Sequence, residues 1–381
     1  LKDKTLGPRI VPIVPDESRT FGMEGLFRQI GIYSPVGQLY NPVDAGQLMY
    51  YREDKKGQLL EEGINEGGAF CSWMAAATSY SSNNLTMIPF YIYYSMFGYQ
   101  RVGDFVWAAG DMQARGFILG ATAGKTTLAG EGLQHQDGHN LLFFSVVPNC
   151  IAYDPCFSYE LTVIIQDGLR RMIENQENVF YYLTLMNENY PHPALPTASQ
   201  EGILKGMYLL AENKPSKRHV QLLGSGTILN EVIAAAELLK TDFAVTADIW
   251  SVTSFSELRR EALSVERYNI LHPNEPAQQS YVNQCLQVRL GPVIAATDYI
   301  RLNADQIRGF FPQPYVVLGT DGYGRSDTRE QLRHFFEVNR FYIVIASLHA
   351  LLMEGLVTRT EIEKAFKKYA IDAKKPNPFT L

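Results

Sequence analysis

The chain has 381 residues, 46% apolar and 19% charged, which allows two domains and a large buried core. A formal charge of −6 with no dense Lys/Arg block argues against a general nucleic-acid binder, and no apolar run reads as long enough to cross a bilayer. Cys71, Cys150, Cys156 and Cys285 are scattered, with neither a CxxC zinc pair nor a disulfide framework, and read as buried reduced thiols of a cytoplasmic protein.

The first residues, Leu1-Lys2-Asp3-Lys4, carry no signal peptide and no initiator methionine, so the chain reads as a piece of something longer. Residues 9–15 (RIVPIVP) predict a buried strand despite the prolines. Asp16-Glu17-Ser18-Arg19 follows at its carboxyl end, where ligands collect in open α/β sheets. Glu17 is therefore placed for chemistry. In the competing reading Asp16 or Ser18 caps a helix over 21–30 and Glu17 is merely exposed. Residues 33–57 carry Pro35, Gly37, Pro42, Gly46 and Gly57 among tyrosines, and predict a long irregular loop.

Gly63-Ile64-Asn65-Glu66 leads into a helix predicted over 69–79. Glu66 stands among small and apolar neighbours at a loop-to-helix junction. Burial there would raise its pKa and suit it to proton exchange. Equally, a first-turn glutamate complements the helix dipole. A strand over 87–94 and a helix over 95–107 follow. Tyr91 and Tyr93 read as core, whereas Tyr94 and Phe97 are better candidates to flank a flat heteroaromatic ring.

Gly120 to Thr126 (GATAGKT) looks like a phosphate loop, but its glycines are too close together for the backbone to wrap a phosphate. The polar, glycine-rich stretch from Gly130 to His139 suits a defined loop that turns an imidazole towards a ligand. His135 is the candidate for substrate contact and His139 reads as structural. A strand over 146–153, an amphipathic helix over 159–175 and a buried strand over 179–185 complete a first domain, 1–193. Pro191, Pro193 and Pro196 mark a linker.

The second domain, 194–381, predicts strands over 220–223, 244–252, 292–297, 315–318 and 341–346, with helices between them, including 230–239 and 360–369. The sum is a small parallel-rich α/β domain. Its Gly224-Ser225-Gly226 turn lacks the third glycine of a dinucleotide fingerprint, where Leu229 stands. The loop from Gly319 to Asp327 is polar and glycine-rich, as expected of a contact with a partner subunit or an active-site rim.

Several long stretches carry a family likeness: PRIVPIVPDESRTFGMEGLF at 8–27, GINE at 63–66, SYSSNNLTMIPFYIYYSMFGYQR at 79–101, GEGLQHQDGH at 130–139 and GTDGYGRSDTREQLRHFFEV at 319–338. Together they resemble the single-chain, homodimeric type of bacterial pyruvate dehydrogenase, the decarboxylating first component of the complex. The likeness covers essentially the whole chain. It implies two transketolase-like α/β domains: a pyrimidine-binding domain with a largely parallel sheet, and a smaller C-terminal domain.

The resemblance further implies thiamine diphosphate as cofactor. Glu66 would bond the pyrimidine ring nitrogen, Ile64 would support the folded cofactor, and Phe97 and Tyr94 would flank its ring. His135 would orient substrate or donate a proton, and Glu17 would tune the local proton balance. Residues 33–57 would form a loop at the active-site entrance. Pyruvate is the implied substrate, and the lipoyl domain of the acyltransferase component the implied acceptor, in a homodimer without nucleic acid or membrane in the bacterial cytoplasm.

One departure is plain. The family holds the diphosphate and Mg2+ through a Gly-Asp-Gly motif, and this chain has none: Gly110-Asp111 runs into Met112, and Asp137-Gly138 follows Gln136. No metal ligand is therefore expected here. The chain reads as a C-terminal portion without the diphosphate-binding domain, inactive alone. Another transketolase-like enzyme and a non-catalytic scaffold are the alternatives.

Overall fold

The structure, a computed structural model, describes residues 1–15 and 18–381. By packing, the chain forms two compact units. One comprises Leu1–Ala123, Phe143–Ile151 and Gly168–Asn187; the other comprises Gly124–Leu142, Ala152–Asp167 and Glu188–Leu381.

In chain order the first half gives β1 (Ile10–Val14), α1 (Glu24–Gln29), β2 (Ile32–Tyr33), β3 (Glu53–Asp54), β4 (Leu60–Glu61), α2 (Glu66–Ala77), α3 (Ser79–Ser82), β5 (Ile88–Tyr94), α4 (Tyr99–Asp111), β6 (Phe117–Ala121), α5 (Asn140–Ser145), β7 (Cys150–Tyr153), α6 (Ser158–Leu169) and β8 (Phe180–Thr184). The main sheet has the order β4-β1-β5-β6-β8-β7. Its pairs β1/β4, β1/β5, β5/β6 and β6/β8 are all parallel. The long irregular stretch predicted over 33–57 is pinned at its ends by β2 and β3, which pair in parallel.

Parallel strands buried on both faces read as near-continuous apolar runs. β1, β6 and β8 do so, and every residue of β6 and β8 is buried. The first unit is held by rings. Trp73 donates from Nε1 to the Phe117 carbonyl at 3.1 Å. Phe90 stacks on Phe117, and Phe144 stacks on Tyr182 with centroids 3.8 Å apart. Tyr91 and Tyr93 are buried core residues, as their place in the strand predicts.

The second half gives α7 (Gln200–Lys205), β9 (Met207–Ala211), β10 (His219–Gly224), α8 (Ile228–Phe243), β11 (Thr246–Val252), α9 (Phe255–Leu271), α10 (Tyr281–Leu286), β12 (Val293–Ala296), α11 (Leu302–Asp305), β13 (Tyr315–Leu318), α12 (Arg329–Phe335), α13 (Arg340–Met353) and α14 (Arg359–Lys368). Its sheet has the order β13-β12-β10-β11-β9, parallel except for the antiparallel edge strand β9.

Two expectations fail here. Residues 341–346 are helix, not strand. Asn339 caps α13, its Oδ1 accepting from the amides of Phe341 and Tyr342 at 3.1 and 3.2 Å. A short β-branched run buried in a helix has the same composition as a buried strand, so periodicity alone does not separate them. In addition, the stretch Arg329–Met353 is long and apolar enough to cross a membrane by length and composition. Half of its most apolar window is buried inside the protein, and Ile343, Val344, Leu348 and Leu351 share a core with Val232, Ala235 and Leu239 of α8. Its apolar part, α13, is thus a core helix of this unit.

Candidate active site

The parallel strands β4, β1 and β5 end at one edge of the main sheet. Ligands in open α/β sheets gather at such carboxyl edges. The turn after β4 passes through Gly63, whose φ of +77° suits a residue without a side chain. Asn65 then caps α2, its Oδ1 accepting from the Gly68 amide at 3.0 Å. Gly68 makes room for that cap, because a Cβ there would lie 2.5 Å from Asn65 Nδ2. Glu66 is thereby fixed as the first residue of α2, where a carboxylate also complements the helix dipole.

The Glu66 side chain is only 12% exposed. Its Oε1 accepts from Arg101 Nη1 at 2.7 Å. The same guanidinium lies over the Phe97 ring, 4.1 Å from its centroid. Phe97 meets Tyr94 edge-on at 6.1 Å, and Tyr94 meets Phe21 edge-on at 5.2 Å. Below this wall, Tyr91 Oη donates to the Glu66 carbonyl at 3.4 Å. Burial, and then the Glu66 charge, push the Tyr91 phenol well above its ordinary range. One carboxylate and a wall of aromatic faces are thus joined through a single planar cation.

Ile64 lies two residues before Glu66 on the same turn and is 77% exposed, so its side chain projects from the protein. Glu17 lies outside the described residues. Its neighbour Ser18 donates from Oγ to Glu61 Oε1 at 2.5 Å, which puts a second carboxylate at the ends of β1 and β4.

His135 belongs to the other compact unit and is set in a turn, as its glycine-rich surroundings predict. Its Nδ1 is 3.4 Å from Glu131 Oε2. Asp137, fully buried, accepts at Oδ1 from the amides of His139 and Asn140, so the residues beside His139 start α5. The loop is braced from the 319–327 stretch. Buried Gln136 donates from Nε2 to the Arg325 carbonyl at 2.8 Å and accepts at Oε1 from the Arg325 amide at 2.7 Å. Ser326 Oγ donates to the Gly130 carbonyl at 2.9 Å.

The phosphate-loop lookalike is consumed by structure. Lys125 is buried and donates from Nζ to the carbonyls of Thr320 and Gly322. Burial lowers its ammonium pKa, against the pull of Asp137, Asp298 and Asp321. Asp298, wholly buried, accepts from the amides and hydroxyls of both Thr126 and Thr127 at 2.6–3.1 Å. Among the described residues, no three His, Cys, Asp or Glu side chains converge as a metal-ligand set.

Of the residues the sequence singles out, Glu66, Phe97 and Tyr94 come together, with Ile64 on the same turn. His135 is described in its own unit. Arg101, Phe21, Gln136 and Arg325 were not singled out. Arg101 had one local signal: it stands in the first turn of α4, a turn with no acidic residue, where a cation opposes the helix dipole.

Residues 1–193 match the family described as pyruvate dehydrogenase E1 component middle domain, and residues 206–339 match the transketolase-like C-terminal domain. The chain is 63% identical over 380 residues to the pyruvate dehydrogenase E1 component of Pseudomonas aeruginosa, a match covering 99% of this chain and 43% of that protein. It is 57% identical to the Escherichia coli K12 protein of the same name, with the same coverage. The chain thus spans less than half the length of these curated relatives. Among solved structures, transketolase from Pichia stipitis in complex with a sedoheptulose phosphate superposes with a TM-score of 0.65 at 14% identity, over 92% of this chain and 44% of that one. A split-gene transketolase, described as an inactive tetramer, gives 0.59 at 15% identity, over 91% and 93%. At such identities the likeness is one of fold, and the fold is transketolase-like. The match over the first half of the chain shows that it belongs to the pyruvate dehydrogenase E1 component middle-domain family.

Proposed function

We propose that this chain supplies the pyrimidine-binding half of a thiamine diphosphate-dependent pyruvate dehydrogenase E1 component of the bacterial cytoplasm. Residues 1–193 act as the pyrimidine-binding domain and 194–381 as the C-terminal domain. The observation that carries the reading is the Glu66–Arg101–Phe97 arrangement at the sheet edge. A flat group that donates N–H to a carboxylate while stacking on an aromatic face already fits between Glu66 and Phe97. An aminopyrimidine ring offers the same two contacts. The residues present therefore fit the pyrimidine end of the cofactor. The diphosphate and Mg2+ are assigned to residues outside this chain, since no Gly-Asp-Gly motif occurs in it.

When bound, thiamine diphosphate would supply the nucleophilic carbon for decarboxylation of pyruvate. The chain's own residues do the rest. Glu66 hydrogen-bonds the pyrimidine ring nitrogen and holds the proton there. Phe97 and Tyr94 flank the ring, and exposed Ile64 supports it from the turn. His135 orients substrate or donates a proton as the acetyl group passes to the lipoyl domain. Glu17 tunes the local proton balance. The complete protein works as a homodimer.

The test uses the full-length enzyme. Glu66→Gln should lower pyruvate turnover about a hundredfold or more while the fold is retained. Near-wild-type turnover would remove Glu66 from its role.

A further inference from the structure

In the function proposed above His135 meets the substrate, so its use depends on where its loop stands. The next residue, Gln136, is 2% exposed. Its Nε2 donates to the carbonyls of Leu128 and Arg325 at 3.2 and 2.8 Å, and its Oε1 accepts from the Arg325 amide at 2.7 Å. We infer that Gln136 is a positioning residue for His135: it clamps the main chain beside the imidazole to the 319–327 segment and so sets where the imidazole stands. The inference rests on the reading of His135 given above.

Three observations support it. The first is adjacency. Consecutive Cα atoms are held about 3.8 Å apart across a trans peptide, so a shift at residue 136 is passed to residue 135. By contrast, the Gly132 carbonyl, which accepts from the His135 amide at 3.2 Å, and the Glu131 carboxylate belong to the same loop and travel with it. The second is that the far end of the clamp is itself held. Lys125 donates from Nζ to the Thr320 and Gly322 carbonyls. Thr320 donates from its amide to the Tyr299 carbonyl and from Oγ1 to the Asp298 carbonyl, both at 2.8 Å. A Cβ on Gly324 would lie 2.4 Å from Gln136 Oε1, so the glycine lets the clamp close. The third is a second tie at the start of the loop. The Gly130 amide donates to the Asp327 carbonyl, and Ser326 Oγ to the Gly130 carbonyl, each at 2.9 Å. Without the Gln136 amide, the main-chain groups of Leu128 and Arg325 lose that partner, and the backbone moves to recover one. A displacement of about 1 Å at a reacting group costs on the order of a hundredfold in rate.

The experiment assays the full-length enzyme in two half-reactions: pyruvate decarboxylation with an artificial electron acceptor, and acetylation of a lipoyl domain. Gln136→Leu should lower kcat for lipoyl acetylation about ten- to a hundredfold and leave KM for pyruvate within about twofold. Gln136→Glu keeps the acceptor for the Arg325 amide. It should fall between Gln136→Leu and wild type, and it carries the test if the leucine protein fails to fold. The discriminating readout is the double variant. In the His135→Ala background Gln136→Leu should cost no more than about a further twofold, since it has no imidazole left to position. A merely structural role would give the full loss in either background. With His135→Ala impaired, wild-type lipoyl acetylation by Gln136→Leu, or a full further loss in the double variant, overturns the positioning role alone. Unchanged kinetics of His135→Ala overturn the reading of His135, and this inference with it.

Discussion

Glu231→Gln is the sharpest test of what holds the second unit together. Glu231 lies on α8 with its side chain 8% exposed. It accepts from the Arg340 amide, Nε and Nη2, each at 2.9 Å, and faces Arg333 Nη1 at 3.7 Å. Arg333 is also forked onto Glu188. This one carboxylate thus ties α8 to the start of α13 and to α12. Burial pushes the Glu231 carboxyl up, but the hydrogen bonds from Arg340 and the charges of Arg340 and Arg333 outweigh it and hold it below the ordinary value of 4.5.

A glutamine keeps the volume and one acceptor but turns an NH2 towards a guanidinium. Removing one partner of a buried pair costs about 3–5 kcal/mol. Arg340 is 43% exposed and recovers part of its hydration, so about 2–3 kcal/mol is the working figure. That lowers the melting midpoint of this unit by about 5–10 °C. The assay is urea unfolding of wild type and variant followed by circular dichroism from pH 8 down to about pH 3. A depressed carboxylate contributes stability above the unfolded pKa and loses it as pH falls through the folded one. The gap should therefore be full above about pH 4.5 and shrink below it. A gap under about 0.5 kcal/mol at pH 7, or one that persists into acid, refutes the reasoning.

Gly291→Ala should destabilise the second unit by about 3 kcal/mol or more, because φ is +81° and a Cβ would lie 1.7 Å from the His219 carbonyl oxygen; a thermal melt within a degree of wild type counts against it. His135→Ala in the full-length enzyme should impair transfer of the acetyl group to the lipoyl domain, and unchanged kinetics in both half-reactions would remove the residue from the mechanism. The 381-residue chain alone should show no micromolar binding of thiamine diphosphate with Mg2+ by calorimetry, since it offers contacts to only one end of the cofactor; micromolar binding overturns that division.

Local patterns made much of the fold legible. RIVPIVP, the aromatic run of β5 and Tyr315–Leu318 announce strands because their apolar residues are contiguous or alternate and turns bound them. Glu66, Tyr94 and Phe97 could be picked out as candidates because they fall in two stretches, each next to a strand end, and the structure brings them close together. Partners far apart in sequence were not. Nothing local pairs Arg101 with Glu66, or Gln136 with Arg325, because those contacts exist only once the chain is folded. Edge strand β9 escaped notice for a different reason: it is short and only half covered, and it runs against its neighbour rather than with it. The strand expected over 341–346 failed because burial erased the helical period that would have marked α13.

The Gln136 side chain behaves towards Arg325 as one peptide unit behaves towards another, giving and taking a hydrogen bond in register. The loop that carries His135 is therefore spliced, without a covalent bond, to a segment almost two hundred positions downstream. Recombination between relatives would feel that splice. A hybrid gene whose crossover falls between the two segments inherits each half of the clasp from a different parent. Because Arg325 contributes only main-chain atoms, such a hybrid keeps the clasp wherever the backbone path of the second segment is kept, and loses it, with the brace on the His135 loop, where that path shifts.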